Sequence, residues 1–143
     1  MLLAVLCGAC RGEPPGDHGL SARIAAEVQH GSGTVVDLHA LAPFRWSRFY
    51  VFGPYRTQKD AERVLGKPWP YEWGAIEYED DRSFLVFTDS GHVVAAFDQV
   101  NDGGNLMGLF REAGYSPDSA RFVVRERERL AGGAPNYELV WHP

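Results

Sequence analysis

The chain has 143 residues, 45% of them hydrophobic and 13% aromatic, and carries a formal net charge of −5. That length and apolar content suit one domain with a buried core and exclude a disordered chain. Arginine is interleaved with aspartate and glutamate, so no basic stripe forms, and nucleic acid is not an expected partner.

Residues 1–10 are almost wholly apolar or small and end at Cys10, and both cysteines of the chain, Cys7 and Cys10, lie there. Residues 2–6 form a short apolar run, and Gly8 and Ala9 are the small residues that a signal peptidase accepts before its cut. The stretch resembles a lipobox, with Cys10 as the residue to be lipidated. It departs from that pattern at Cys7, where leucine is usual, and in having no Lys or Arg ahead of the apolar run. Either the true start lies upstream of Met1, or these residues are the apolar end of a cytosolic protein. The run is far shorter than the ~20 residues needed to span a bilayer. A diacylglycerol on Cys10 would replace such a span, at about 0.8 kcal/mol per buried methylene. Cys7 and Cys10 also have C-x-x-C spacing, but a redox pair needs a strand-to-helix setting, whereas Pro14 and Pro15 soon follow here.

Residues 11–19 have the Gly, Pro and charge of a flexible linker, and a single domain is expected over 20–143. Ser21 is a candidate cap for a helix over 22–30, with Leu20, Ile24 and Val28 on one face and Gly31 and Gly33 beyond its end. Strands are expected at 34–38 and 46–52. Thr57, with Asp60 three positions on, has the form of a capping box, and Gly66 and Pro68 mark the stop of a helix over 57–65. The pattern then predicts a strand at 75–78, a turn at 79–82, and a central strand at 83–88 apolar on both faces. A hairpin turn at Asp89-Ser90-Gly91-His92 leads to a strand at 93–97. A short helix is expected at 105–113, closed by Gly114, and a last hairpin from 121–129 and 137–141 across 131–136. The order α-β-β-α-β-β-β-α-β-β with short turns predicts an α+β fold: an antiparallel meander with hairpins, and two or three short helices on one face.

Residues able to do chemistry are scattered. His18, His30, His39, His92 and His142 lack zinc-site spacing, so no metal or other cofactor is expected. Asp89, Ser90 and His92 fit a tight turn better than a triad assembled from distant segments. The stretch 98–103 fails as a calcium loop, with Val100 at the third position and Leu109 at the twelfth. Gly103-Gly104 lacks the Gly-Lys-Ser/Thr of a phosphate cradle. Glu77, Glu79, Asp80 and Asp81 suit a solvated acidic face.

One aromatic constellation stands out. Three of the four tryptophans and four of the six tyrosines fall between Trp46 and Tyr78. Trp69, Tyr71 and Trp73, with Tyr55 and Arg48, are the candidate binding residues, and Trp69 or Trp73 is expected to be exposed because Pro68 and Pro70 suggest a surface loop. The alternative is that these rings are core, as large aromatics often are. The run Trp46-Ser-Arg-Phe-Tyr-Val-Phe-Gly-Pro-Tyr55, the capped helix with Leu65-Gly66, and Phe84-Leu-Val-Phe87 with Gly91-His-Val-Val94 resemble a family of small uncharacterised bacterial lipoproteins over most of 34–98. The resemblance implies export and lipidation, and no activity.

The expected role is a lipid-anchored protein of the bacterial cell envelope, facing the periplasm or the exterior. Its domain would bind an envelope partner or a small ligand, or scaffold, rather than catalyse. A periplasmic small-ligand binder with an aromatic cleft is the nearest alternative. An enzyme whose groups converge only in three dimensions is another, with Asp37, His39, His92 and Asp98 as first suspects.

Overall fold

A computed structural model describes residues 11–127 and 133–143. The lipobox-like segment with Cys10, and part of the last expected hairpin, lie outside the described residues. The fold is α+β, in the order α1 (Leu20–Val28), β1 (Val35–Asp37), α2 (Leu38–Leu41), β2 (Arg48–Phe52), α3 (Gln58–Leu65), β3 (Arg82–Asp89), β4 (His92–Val100), β5 (Arg121–Arg127) and β6 (Asn136–Trp141). Among the described residues no helix is long and apolar enough to cross a membrane.

The strands form two antiparallel three-stranded sheets, β1-β5-β6 and β2-β3-β4. The run 83–88 on β3 is buried throughout, as its continuous apolar sequence requires. Its side chains alternate between two cores. Leu85 and Phe87 join Phe49 and Val51 of β2, the α1 face of Leu20, Ile24 and Val28, and Phe122 and Val124 of β5. Phe84 and Val86 point the other way, to Phe52, Ala61 of α3, Trp69 and Ile76. The sheet β2-β3-β4 is thus a wall with a core on each side.

Several local expectations change. Gly19, at φ 82°, and not Ser21, stands at the N-cap of α1. The Ser21 hydroxyl instead donates to Gln99 Oε1 at 2.7 Å. The strand expected at 34–38 ends at Asp37, whose carboxylate accepts from the amides of His39 and Ala40 and so opens α2. Residues 75–78 are not a strand, because Ala75–Glu77 is a single 3₁₀ turn. That turn buries Ile76 and leaves Tyr78 81% exposed, where a strand would have put both on one face. Residues 105–113 are not an α-helix either: only Met107–Leu109 coils, as a 3₁₀ turn. Asn105 pairs with β6 through Tyr137 and Leu139. Its side chain accepts from the Met107 amide, and Phe110 is extended.

The stretch 11–19, expected as a flexible linker, is bonded along the domain like a strap. Arg11 Nη1 donates to Gln58 Oε1 at 2.9 Å. The Gly12 carbonyl accepts from the Glu72 amide and the Pro15 carbonyl from the Ala96 amide. His18 Nε2 donates to the Val94 carbonyl, beside a bulge in the β3–β4 ladder. Two adjacent prolines hold the backbone extended at little entropic cost and leave its carbonyls free to accept. At the opposite edge of the same sheet, Tyr115 exchanges two backbone bonds with Phe49 of β2. Gly114, at φ 64°, permits that approach, because a Cβ there would sit 2.7 Å from the Phe49 carbonyl oxygen. Gly114→Ala should therefore destabilise the fold by roughly 2 kcal/mol or more, measured as a fall in the urea midpoint.

Helix α3 has its full capping box. The Thr57 amide donates to Asp60 Oδ2 at 2.8 Å, and the Asp60 amide donates to Thr57 Oγ1 at 3.3 Å. Gly66 closes the helix in the left-handed region. The hydrogen bond donated by the Thr57 amide holds the Asp60 carboxyl below its ordinary range. Its stabilising effect is present above the ordinary carboxylate value and is lost as pH falls through the lowered one. Thr57→Ala keeps that amide but removes the hydroxyl, which accepts from the Asp60 amide and donates to Asp60 Oδ2 at 3.1 Å; it should cost ~1 kcal/mol at pH 7, and chemical denaturation should show the part carried by the hydroxyl–carboxylate bond shrinking once Asp60 is protonated.

Candidate functional site

A cleft of ≈ 290 Å³ lies between the strap, the loop that follows α3, and β4. Its strap side is Glu13, Pro14 and Gly16; its loop side is Glu72, Trp73 and Gly74; its floor is Phe84 of β3 with Ala96, Phe97 and Asp98 of β4. The two strap bonds, to Glu72 and to Ala96, join opposite banks, so Glu13 and Pro14 bridge the opening.

The aromatic wall is rigid. Trp73 is half-buried, meets Phe84 edge to face at 5.1 Å and Trp69 at 5.5 Å, and donates Nε1–H to the Arg56 carbonyl at 2.9 Å. Gly74 leaves the space beside it open: a Cβ there would lie 3.5 Å from the Phe84 ring and 3.6 Å from Asp98 Oδ1, ordinary contact distances.

Asp98 is the polar centre. Its Oδ2 lies 3.7 Å from Arg82 Nη1, a guanidinium shared with Glu79 at 2.7 Å and Asp81 at 2.8 Å. Glu79 and Asp81 of the expected solvated acidic face are thus tied to Arg82. Asp98 Oδ1 is buried and has no hydrogen-bond partner among the described residues. Burial pushes the Asp98 carboxyl above the ordinary carboxylate range, against the opposing pull of Arg82. A carboxylate oxygen withdrawn from water without a donor is costly.

The five candidate binding residues do not converge. Trp69, expected at the surface, is buried at 2% exposure. The backbone reverses its faces residue by residue, so Pro68 and Pro70 are exposed while the indole between them points inward. There it donates to the Glu72 carbonyl and packs on Phe84. Tyr71 is half-buried with its ring 5.5 Å from Trp69. Tyr55 is 62% exposed, in the left-handed region at φ 66°, and Arg48 is exposed on β2; neither lines the cleft. Trp73 alone of the five lines it. Of the four catalytic suspects, Asp98 is in the cleft while Asp37, His39 and His92 are not. Asp37 caps α2 and lies 3.4 Å from Arg121. Among the described residues no three His, Cys, Asp or Glu side chains gather as a metal site.

Sequence reasoning missed Glu13, Gly74, Phe84 and Phe97 as cleft residues. Gly74 directly after Trp73 was the available signal, since a glycine next to an aromatic can open a concave surface. No protein-family model matches the chain, and no curated protein or solved structure matches it.

Trp69→Ala should cost about 3–5 kcal/mol in thermal or urea unfolding, the range for a truncated core aromatic. Asp98→Asn should do the opposite at pH 7 and raise the melting temperature. The raised carboxyl means that the folded chain takes up a proton at higher pH than the unfolded chain. The wild type therefore gains on the variant as pH falls through the raised value, until both states are protonated below the ordinary one. The melting-temperature difference should shrink across that window in paired thermal scans.

Proposed function

We propose that this is a lipid-anchored protein of the bacterial cell envelope whose domain binds a ligand rather than catalysing a reaction. The observation that carries the binding role is the cleft itself, a concave site lined by the aromatic residues Trp73 and Phe84 and by the carboxyl residue Asp98. The anchor rests on the sequence: Gly8 and Ala9 ahead of Cys10, a short apolar run, and the likeness of 34–98 to small bacterial lipoproteins. The strap adds a consequence for geometry. Arg11 and Gly12 are bonded to Gln58 and Glu72, so an acyl group on Cys10 would hold the cleft within a few residues of the lipid surface, at most ~3.5 Å per residue. Such a domain faces the periplasm or the exterior and meets its ligand close to the membrane.

Metabolic labelling with an alkyne fatty acid tests the anchor, with the chain expressed from its native start in a bacterial host. The wild type should take up label and sediment with membranes, and Cys10→Ser should be unlabelled and soluble. An unlabelled wild type would overturn the anchored reading.

A further inference from the structure

We propose that the end of the domain carrying Tyr55 and Tyr78 rests on the headgroup layer of a zwitterionic phospholipid membrane when Cys10 is anchored. This names the face by which the anchored protein meets its membrane, and it rests on the anchored reading above. Among the described residues six large apolar or aromatic side chains are exposed: Val35, Tyr55, Tyr78, Val100, Met107 and Trp141. Single residues of this kind are ordinary on a surface, but four of these six gather at one end of the sheet β2-β3-β4. Tyr55 follows β2, and its amide donates to the carbonyl of Ile76, two residues before Tyr78. Val100 ends β4 opposite Arg82. The next residue, Asn101, donates its amide to the Asp81 carbonyl and its side-chain Nδ2–H to Met107 Sδ at 3.4 Å.

The strap leads to this same end. Its Pro15 and His18 meet Ala96 and Val94, so from 18 back to 11 it runs toward the Val100 end of β4. There Arg11 bonds Gln58, which lines one hollow with Glu77. An acyl group on Cys10, the next residue back, would therefore bring this end to the lipid and leave the Ser90-Gly91 hairpin, at the far end of β4, turned away. Tyrosine suits a headgroup layer, with an apolar ring and a hydroxyl that stays wet. The charge here is of mixed sign: Arg82 holds Glu79 and Asp81, and Glu77 and Asp80 stand against Arg11 and Lys59. That balance gives no attraction to an anionic membrane and suits a zwitterionic one. The tether supplies a high effective concentration, so contacts too weak to recruit a free protein suffice to orient an anchored one.

The test couples the full chain, carrying Cys7→Ser, through the Cys10 thiol to a maleimide phospholipid in phosphatidylcholine vesicles. The same chain coupled to a soluble maleimide polymer is the comparator. Hydroxyl-radical footprinting, read by mass spectrometry, reports the accessibility of each side chain. Tyr55, Tyr78 and Met107 should be modified several-fold more slowly on vesicles. His92, at the other end of β4 and about 26 Å from Val100 at ~3.3 Å per residue, should keep its rate. Protection should persist in about 0.5 M salt, where surface charge is screened. Tyr55→Asn combined with Tyr78→Ser should return Met107 to its rate on the polymer; asparagine tolerates the left-handed backbone at 55. Equal tyrosine rates on vesicle and polymer overturn the proposal and leave this end to a protein partner. Equal protection of His92 overturns it too, as does protection that salt abolishes or Met107 still protected in a folded double variant. Because the chemical tether replaces acylation, the result stands apart from fatty-acid labelling of Cys10 in cells, and failure of the docking face and failure of the anchor are distinguishable.

Discussion

The fold depends on one strand being dry on both faces. Phe84, Leu85, Val86 and Phe87 alternate across β3, and each pair supplies a different core. Burying side chains on both faces removes from water about twice the apolar area of a half-exposed strand, and that area is the main favourable term in folding. It also fixes register. A slip of one residue would exchange Phe87, stacked at 4.6 Å on Phe49, with Val86, and neither core would fit the substitute. Everything else is arranged to cover this wall: α1 and the sheet β1-β5-β6 on one side, α3 and the tryptophan loop on the other.

The cleft follows from the second, smaller core. Trp69 fills its centre, Trp73 stands at its margin, and Gly74 interrupts the packing. Asp98 is placed on β4 opposite Phe84, where the strand leaves the apolar layer and reaches Arg82. A carboxylate in that position lowers stability, by the desolvation that raises its protonation. A carboxyl perturbed by burial beside a cleft is a candidate site group.

Legibility in the sequence followed locality. Helix α3 could be read from Thr57, Asp60 and Gly66 because its caps are satisfied within a few residues. The double burial of β3 was visible as an unbroken apolar run, and the Ser90-Gly91 turn, with both residues at positive φ, as a hairpin signal. What failed was non-local. The division of strands into two sheets depends on β1 finding β5, across more than eighty residues of chain. The expected helix at 105–113 lost to the pairing of Asn105 with β6. Trp69 was misplaced because its prolines describe the backbone, whereas burial depends on which way the indole between them turns. The strap was invisible for a related reason. Gly and Pro composition reports how little a segment folds by itself, and says nothing of a neighbouring strand with an unpaired amide at Ala96.

That amide makes the strap protective as well as positional. A β4 edge stripped of residues 11–16 would present an open row of backbone donors and acceptors next to Val94 and Phe97, the kind of surface on which a second chain can add a strand. Proteolytic trimming of the first residues of the domain, which would otherwise look harmless, would then turn that edge into a seed for intermolecular pairing. The first segment of the domain to be made would be a built-in guard against aggregation, engaged once β4 has formed.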